Sequence, residues 1–573
     1  MLFLKYILAT WLLFATVTNA QSDQGSMISY NVIALLNQTT FKSMAVIVDS
    51  ISYPLEANKT FPVLFSGKAP SAKSGYHYAK VYVSDNSTLA EPFERQSVNQ
   101  STPHEFFNRT WNTHDNAQLP QVYSPLNSIH RIKSDLHRDN EIPTIHIIGN
   151  QTELDQLKGN VTEDISAKTT ISYLSLHDAL QFENVELSLS GNSAKLLPKS
   201  SYNLKLHKKD GLYGYRNLKL RSLGFDPSYI REQLGYDLLK SAGLISSEFS
   251  FVRVFMNDQE LGLYGIIDTF KGPWFSDVFA DGDSSYKNGY LYQSKAVGAN
   301  NHTADLSYYE NITAYADGQY KIKEEATGGE KDNYKPLMDL TKFIAEAPTN
   351  GSDAVNEWNK RFDMDSVVRS LVIEILGGYA DGYLSNLNNY YLYQSPDSGQ
   401  YLYIAADLDF CLGATVVNIT NLWTGNYNTF PGWGERPLAD QMMRVPEFNQ
   451  KFKQLLQELN TKLFNPDVMN PRINDLANMI REDVVWDHAL NDPILRSFFD
   501  YMGASDGPDG LKVPGFTAVL NADPTVSDII KRLFYGVSFD VALNGPTGHI
   551  SLSGLKEWFS VIHQNTANFF SQQ

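Results

Sequence analysis

The segment from residue 365 to residue 409 constrains the fold of this chain more than any other. Asp365 is expected to cap a helix whose apolar positions extend to Leu376, and the pair Gly377-Gly378 ends that helix. A polar loop follows, and two tyrosine-rich runs then predict a β-hairpin that turns at Pro396-Asp397. A buried helix is thus expected to lead directly into a pair of strands.

The predicted secondary structure changes along the chain. Before residue 195, short β-branched and aromatic runs alternate with Pro, Gly and Ser, which is typical of a β-sandwich. Beyond residue 200 the order is strand, strand, helix and hairpin, and segments such as 448–463 carry apolar residues at helical spacing. A length of 573 residues exceeds what one core usually serves. The prediction is an α+β protein with a β-rich, sandwich-like domain at 21–195 and a second domain at 196–573 whose C-terminal part is helical.

The first helix of the second domain has a clear expected start. Asp226 is the predicted N-cap and Pro227 the first helical residue. Ile230 and Leu234 begin its apolar stripe, and Gly243 is expected to cap its C-terminus.

Residues 1–20 have the form of a secretory signal. Lys5 precedes the apolar run 6–15, which is short for a membrane span, and small residues lead to a cleavage site after Ala20. No second long apolar stretch follows, and the C-terminus lacks the apolar tail of a lipid-anchor signal. We therefore expect a secreted, extracellular protein without a transmembrane segment.

Sequons and cysteine usage agree with a secreted glycoprotein that has no disulfide framework. Cys411 is the single cysteine, which also excludes multi-thiolate zinc sites. Seven of the eleven N-glycosylation sequons fall between residues 37 and 160. The sequons begin at Asn37, Asn58, Asn86, Asn99, Asn108, Asn150, Asn160, Asn301, Asn311, Asn350 and Asn418.

The charge balance argues against nucleic acid as a partner. The chain has 64 acidic and 47 basic residues, a formal net charge of −17. Affinity for a phosphate backbone depends on basic surface that neutralises it. Nucleic-acid binding is therefore excluded as the expected function.

Acidic and amide side chains cluster around the predicted hairpin. Asp381 follows the Gly-Gly stop, Asn386 and Asn389 precede the first strand, and Asp407 and Asp409 end the second. Mg²⁺ prefers carboxylate and amide oxygens and keeps substrate phosphates as further ligands. Phosphoryl transfer requires acids and amides of this kind, together with cationic groups that contact the phosphates. No His-Arg-Asp signature precedes this loop, because the triplet His137-Arg138-Asp139 lies far upstream of Asp381. The kinase signatures Asp-Phe-Gly and the Gly-rich loop are absent.

Two cations upstream offer a further kinase-like pairing. Lys219 and Arg221 share one face of a predicted strand, and Glu232 lies on the following helix. An ion pair from that strand to Glu232 would match the lysine–glutamate pair of kinases. The alternative is that the two cations line a solvated strand face and that Glu232 is an exposed helix residue.

Several motifs in order resemble the spore-coat protein H (CotH) family in its fungal form. They are Asn217-Leu-Lys-Leu-Arg, Asp226-Pro-Ser-Tyr-Ile-Arg-Glu, Leu261-Gly-Leu-Tyr-Gly, Asn389-Tyr-Tyr-Leu-Tyr and Ala406-Asp-Leu-Asp. The resemblance implies a secreted atypical protein kinase with a diverged kinase-like fold. It implies transfer of the ATP γ-phosphoryl group to Ser or Thr of spore-coat or cell-surface proteins, dependent on Mg²⁺ or Mn²⁺.

The resemblance also implies roles for individual residues. Asp381 takes the catalytic position and Asp407 the metal position, with Asp409 beside it. The chain carries about three extra residues before the first hairpin strand, so Asn389, rather than Asn386, matches the family's amide ligand. Asn386, at the five-residue step from Asp381 that kinases use, is the alternative. Lys219, Arg221 and Glu232 are then the nucleotide-binding set.

Two other functions remain open from the sequence. Some fungal members of the family are regarded as invasins, so a cell-surface adhesin that binds a host-cell surface protein is the main alternative. A secreted hydrolase with paired carboxylates, either a metal phosphoesterase or a glycosidase, is the second. The hairpin tyrosines could stack on sugars in a glycosidase, although tyrosine is also ordinary strand composition.

Signal cleavage should give a glycosylated protein that begins near Gln21, because the apolar run and the sequons both indicate the secretory route. Intact-mass analysis of secreted material, before and after enzymatic deglycosylation, measures both features. Recovery of the full-length, unglycosylated chain would contradict the prediction.

Overall fold

The computed structural model describes residues 26–159, 165–191, 199–501 and 523–572. They belong to two compact units, Met1–Thr110 and Trp111–Gln573. The predicted signal segment and the sequon at Asn160 lie outside the described residues. The predicted domain boundary at 195–196 also lies outside them, and the strands on its two sides pair in one barrel. The observed division therefore comes earlier, after Thr110.

The first unit is a β-sheet folded over its own core, as expected of a sandwich-like domain. Strands β1 and β5 are separated by three others in the sheet order β6-β5-β2-β3-β4-β1-β8, with β7 paired to β5. In a flat sheet they would be about 19 Å apart, yet the rings of Tyr30 on β1 and Tyr76 on β5 lie 4.9 Å apart. The strands are β1 (Met27–Ile33), β2 (Phe41–Val48), β3 (Ile51–Ala57), β4 (Leu64–Pro70), β5 (Gly75–Tyr82), β6 (Thr88–Ala90), β7 (Arg95–Gln96) and β8 (His104–Phe106).

The second unit begins with a closed β-barrel. Its strand order is β10-β11-β12-β13-β15-β14-β9, and alternate residues such as Leu218 and Leu220 fill its interior. The barrel contains the predicted order of strand, strand, helix and hairpin. Its elements are β9 (Thr144–Gly149), α1 (Gln151–Gly159), β10 (Ser166–Leu174), β11 (Ala179–Ser190), β12 (Ser201–Lys205), β13 (Asn217–Arg221), α2 (Arg231–Ser241), β14 (Phe249–Met256) and β15 (Gln259–Asp268).

The predicted start of α2 at Asp226 is wrong, because the helix begins at Arg231. The Asp226 carboxylate accepts the backbone N–H groups of Ser228 and Arg231 in a turn. Tyr229 within that turn has φ +61°, in the left-handed region that interrupts a helix. The C-terminal end is as predicted, since Gly243 follows the helix with φ +72°.

The second half of this unit combines a four-stranded sheet with helices. Its sheet order is β17-β16-β18-β19, and the predicted hairpin is β18 and β19. The elements are α3 (Trp274–Phe279), β16 (Leu291–Ser294), β17 (Tyr320–Glu324), α4 (Lys335–Glu346), α5 (Ala354–Arg361), α6 (Met364–Gly377), α7 (Tyr383–Asn386), β18 (Tyr390–Gln394) and β19 (Tyr401–Ala405), with 3₁₀ turns at Ile312–Ala316, Ile419–Asn421 and Tyr427–Thr429.

Helix α6 is the central element of this half. It is buried on nearly all sides and packs against α2, β19 and a later helix, α9 (Pro446–Lys462). Its N-cap is Asp363, which accepts the Ser366 N–H, and not Asp365 as predicted. Asp365 instead binds Arg369 and Lys451 by ion pairs.

The C-terminal part is helical, as predicted. It comprises α8 (Pro437–Met443), α9, α10 (Pro466–Tyr501), α11 (Pro524–Tyr535), α12 (Phe539–Asn544) and α13 (Leu555–Ser571). Across the described part of the chain, no helix combines the length and apolar character that crossing a membrane requires. Helix α10 is tied to the barrel by a two-point ion pair in which Arg253 of β14 donates to Asp483 over 2.7 and 2.8 Å.

Replacing Asp483 with Ala should lower the free energy of unfolding by about 3–5 kcal/mol, because Arg253 would be left as a buried charge without this carboxylate. Urea unfolding followed by tryptophan fluorescence measures the change. Asp397→Ala in the exposed hairpin turn is the matched control and should change stability by less than about 0.5 kcal/mol. Equal effects of the two substitutions would contradict this role for the ion pair.

Candidate functional site

A cleft of about 490 Å³ lies between the barrel and the four-stranded sheet of the second unit. Its lining is unusually rich in charged and amide side chains. The acids include Asp381, Asp407 and Asp409, the amides include Asn388 and Asn389, and the cations are Lys205, Lys219, Arg221, Lys271, Lys295, Lys321 and Lys323.

Asp381 lies on the loop between α6 and α7 and is held by asparagine amides. Asn389 Nδ2 donates to Asp381 Oδ2 over 2.6 Å, and Asn388 Nδ2 donates more weakly, at 3.3 Å to the same oxygen. Asn386 also donates to this carboxylate. These bonds fix the orientation of the carboxylate at the edge of the cleft.

Asn389 and Asp407 lie side by side at one end of the hairpin. The backbone N–H of Ala406 donates to the carbonyl of Asn389 over 3.0 Å, which brings the neighbouring Asp407 next to this asparagine. Asn389 has φ +51° and Asp407 φ +57°. Asn and Asp adopt left-handed backbone more readily than other non-glycine residues, and such conformations are found preferentially at functional sites.

Arg221 joins the acids of the hairpin to helix α2. Its Nε donates to Glu232 Oε2 over 2.8 Å, and its Nη2 lies 2.6 Å from Asp407 Oδ1 and 3.3 Å from Asp409 Oδ2. The predicted pairing of the strand with Glu232 is therefore present, and Arg221, not Lys219, makes it. Glu232 is only 3% exposed and stands behind Arg221, outside the lining of the cleft.

The three acids experience different electrostatic environments. Burial alone would raise the pKa of Asp407, but Arg221 and Lys219 lower it below the usual value. Burial and the neighbouring Asp407 charge raise the pKa of Asp409. Burial also raises the pKa of Asp381, against the lowering effect of the asparagine amides. Asp407 is therefore the most firmly ionised acid of the three.

The donor set fits a hard cation that shares its coordination with phosphates. Among the described residues, no group of three or more His, Cys, Asp or Glu side chains could hold a metal ion by itself. Mg²⁺ in kinase-type sites needs only one or two carboxylates beside substrate phosphates. Asp407, with a side chain 43% exposed, Asp409 and Asn389 offer such a set.

Six of the eight predicted site residues line this one cleft. They are Lys219, Arg221, Asp381, Asn389, Asp407 and Asp409. Glu232 supports Arg221 from behind, and Asn386 is exposed and bonds to Asp381 without lining the cleft. The roles of these residues stay predictions.

Sequence reasoning missed five lysines of the cleft, one of which, Lys205 on β12, forms an ion pair with Glu186. Lys295 follows β16, Lys321 and Lys323 lie on β17, and Lys271 follows β15. The alternation Tyr-Lys-Ile-Lys-Glu at 320–324 indicates a strand with two lysines on one face. That signal alone cannot show which surface the face meets.

These lysines repel one another. Burial, followed by the charges of Lys271, Lys295, Lys321 and Lys219, lowers the pKa of Lys323 from its usual 10.5 to about 8. Burial and Lys321 likewise lower the pKa of Lys295. A cleft with this many cations is suited to an anionic ligand.

Replacing Lys323 with Met should stabilise the protein without ligand at pH 7, by up to about 3 kcal/mol. The pKa of Lys323 is lower in the folded protein, so its charge opposes folding fully below pH 8. This penalty fades as the pH rises from 8 toward 10.5, and the advantage of the variant should fade with it. Thermal unfolding at pH 7 and pH 10 measures the stability difference between the variant and the wild-type protein, with exposed Lys342→Met as the control. Equal stability of Lys323→Met and the wild-type protein at pH 7 would contradict the prediction.

Comparisons with known proteins agree on one family. The family described as CotH kinase protein matches residues 187–500. The invasin CotH3 of Rhizopus delemar is 26% identical over 81% of this chain and 76% of its own. The inner spore coat protein H of Bacillus subtilis is 22% identical over 66% of this chain and 91% of its own.

Among solved structures, the Helicobacter pylori proinflammatory kinase CtkA covers 51% of this chain and 94% of its own, at 11% identity and a TM-score of 0.20. That TM-score supports no argument about the fold. The family match spans more than half of the chain and includes every residue that lines the cleft except Glu186. The chain belongs to the CotH family.

Proposed function

We propose that this protein is an atypical protein kinase that transfers the γ-phosphoryl group of ATP to a serine or threonine hydroxyl, with Mg²⁺ or Mn²⁺ as metal ion. One observation carries the proposal: Asp381, Asn389 and Asp407 lie together in one cleft, where Arg221 contacts Asp407 directly. An acid for the acceptor, a metal-binding acid and amide, and a cation for the phosphates are the parts that phosphoryl transfer requires.

Asp381 is the group that meets the acceptor hydroxyl. The asparagine amides orient its carboxylate, so a hydroxyl group can donate a hydrogen bond to the remaining acceptor positions. The hydroxyl oxygen forms a bond to the γ-phosphorus while the bond from that phosphorus to the β–γ bridging oxygen breaks. ADP leaves, and the hydroxyl proton passes to the Asp381 carboxylate.

Asn389, Asp407 and Asp409 are the residues that would hold the metal ion. When bound, the ion would neutralise charge on the donor phosphates. Lys219 and Arg221 reach the same region from β13 and supply further positive charge. Glu232 keeps Arg221 in place, as the kinase glutamate does for its lysine.

The same features argue against a glycosidase. Tyr390, Tyr401 and Tyr403 are each no more than 4% exposed, so they cannot stack on a sugar. Only Tyr391 of the hairpin tyrosines lines the cleft. The cations Lys219 and Arg221 suit phosphate better than a neutral glycan.

A surface adhesin is the second candidate, and the names of the relatives favour it. Several Rhizopus delemar relatives are called invasins, including CotH2 and CotH3. Under this function the chain would bind a host-cell surface protein, and the cleft acids would be dispensable. The name of the relative inner spore coat protein H supports a spore-coat or cell-surface protein as the substrate of the proposed kinase.

Asp381→Asn should keep metal–ATP binding and lower kcat by roughly two to four orders of magnitude, the usual range for loss of a general base. Asp407→Ala should instead abolish metal-dependent ATP binding, because it removes the most firmly ionised acid. Calorimetry with Mg²⁺–ATP and phosphorylation with labelled ATP separate the two effects. Asp397→Asn in the exposed turn is the matched control.

Two results would contradict this function. Normal turnover by folded Asp381→Asn would leave Asp381 as a turn residue and favour the adhesin. Unchanged Mg²⁺–ATP affinity of Asp407→Ala would show that Asp407 is not a metal ligand.

A further inference from the structure

Five of the seven cations of the cleft fall into two groups by their contacts. Arg221 touches Asp407 and Asp409 directly, and the charges of those two acids also act on Lys219. The second group, Lys271, Lys321 and Lys323, is here called the outer lysines. None of the three forms an ion pair with any acid in the described part of the chain.

Strand register places the outer lysines away from the acids. Gln293 of β16 pairs with Tyr391 of β18 on one side and with Lys321 of β17 on the other. Lys321 is thus two strands, about 10 Å, from the strand that follows Asn389. Lys321 and Lys271 are exposed at the mouth of the cleft, and Lys323 is half-buried between them and Lys295.

The charge balance suggests a second anion besides the donor phosphates. Arg221 is already paired with Glu232, Asp407 and Asp409, so the acids beside the proposed metal site are balanced without the outer lysines. The charges of Lys271 and Lys323 act on the carboxylate of Glu324, but this is one acid beside three lysines, so the outer lysines keep a net positive charge. Their mutual repulsion persists until an anion lies among them.

We propose that the outer lysines form an acceptor subsite that binds an anionic protein segment next to the serine or threonine to be phosphorylated. This inference rests on the proposed function. The strand spacing of about 10 Å corresponds to about three residues of extended chain. The substrate would therefore carry a carboxylate or a phosphoryl group about three residues from the acceptor hydroxyl.

The test uses the full-length protein and five peptides that share one serine. Two carry Glu three residues before or after the serine, two carry phosphoserine at those positions, and one carries Ala at both. The anionic peptides should have a KM at least tenfold below that of the Ala peptide. The Glu and phosphoserine arms distinguish a carboxylate from a phosphoryl requirement.

The Lys321→Gln/Lys323→Gln double variant should raise KM for the anionic peptides about tenfold and leave kcat, the KM for the Ala peptide and the affinity for Mg²⁺–ATP unchanged. The Lys321→Arg/Lys323→Arg variant should restore the low KM, because it restores the charges. Exposed Lys342→Gln on α4 controls for loss of a remote charge. Thermal unfolding confirms that each variant is folded.

Two outcomes would overturn the subsite. One is equal KM values for the anionic and Ala peptides with the wild-type protein. The other is a loss of Mg²⁺–ATP affinity in the double variant with unchanged peptide KM, which would assign these lysines to the donor.

Direct peptide binding, measured by fluorescence anisotropy, separates failure of the subsite from failure of the kinase. Absence of turnover on every peptide would refute the proposed function. Binding of the anionic peptides, lost in the double variant and restored by Arg, would still support the subsite. Absence of such binding would refute it.

Discussion

The candidate site depends on the buried guanidinium of Arg221. This side chain is the point where β13, α2 and the end of the β18–β19 hairpin meet, through Glu232, Asp407 and Asp409. Separating a buried charge from its partner costs about 3–5 kcal/mol. The barrel, the helix and the hairpin are therefore held in one relative arrangement at the place where the acids line the cleft.

Rigid neighbours hold Asn389 and Asp407 in left-handed backbone conformations. Helix α6 ends at Gly378, where φ is +58° and a Cβ atom would come within 2.4 Å of the Trp558 ring. Only glycine fits this turn, which sends the chain into the Asp381 loop. Asn389 and Asp407 adopt left-handed backbone beside it, and the hairpin hydrogen bond through Ala406 holds them together. Such local strain persists when the surrounding structure determines it.

The lysines of the cleft show a conflict between stability and ligand binding. Lys219, Lys295 and Lys323 all have lowered pKa values, caused first by burial and then by neighbouring cations. Grouping these charges destabilises the protein without ligand, and an anion in the cleft would offset that cost. Stability that is sacrificed at one place in a fold commonly indicates a binding site.

The sequence by itself determined the features that depend on residues close together along the chain. The α6 helix with its glycine stop, the hairpin with its terminal acids and the helical C-terminal part follow from local periodicity and turn residues. Only the tertiary structure decided that Arg221 pairs with Glu232, that α2 begins at Arg231, and that β9 closes a barrel against β14. It also gathered Lys271, Lys295, Lys321 and Lys323 in one cleft. The physical reason is that these outcomes depend on pairing between distant segments, and local periodicity carries no record of which segments pair.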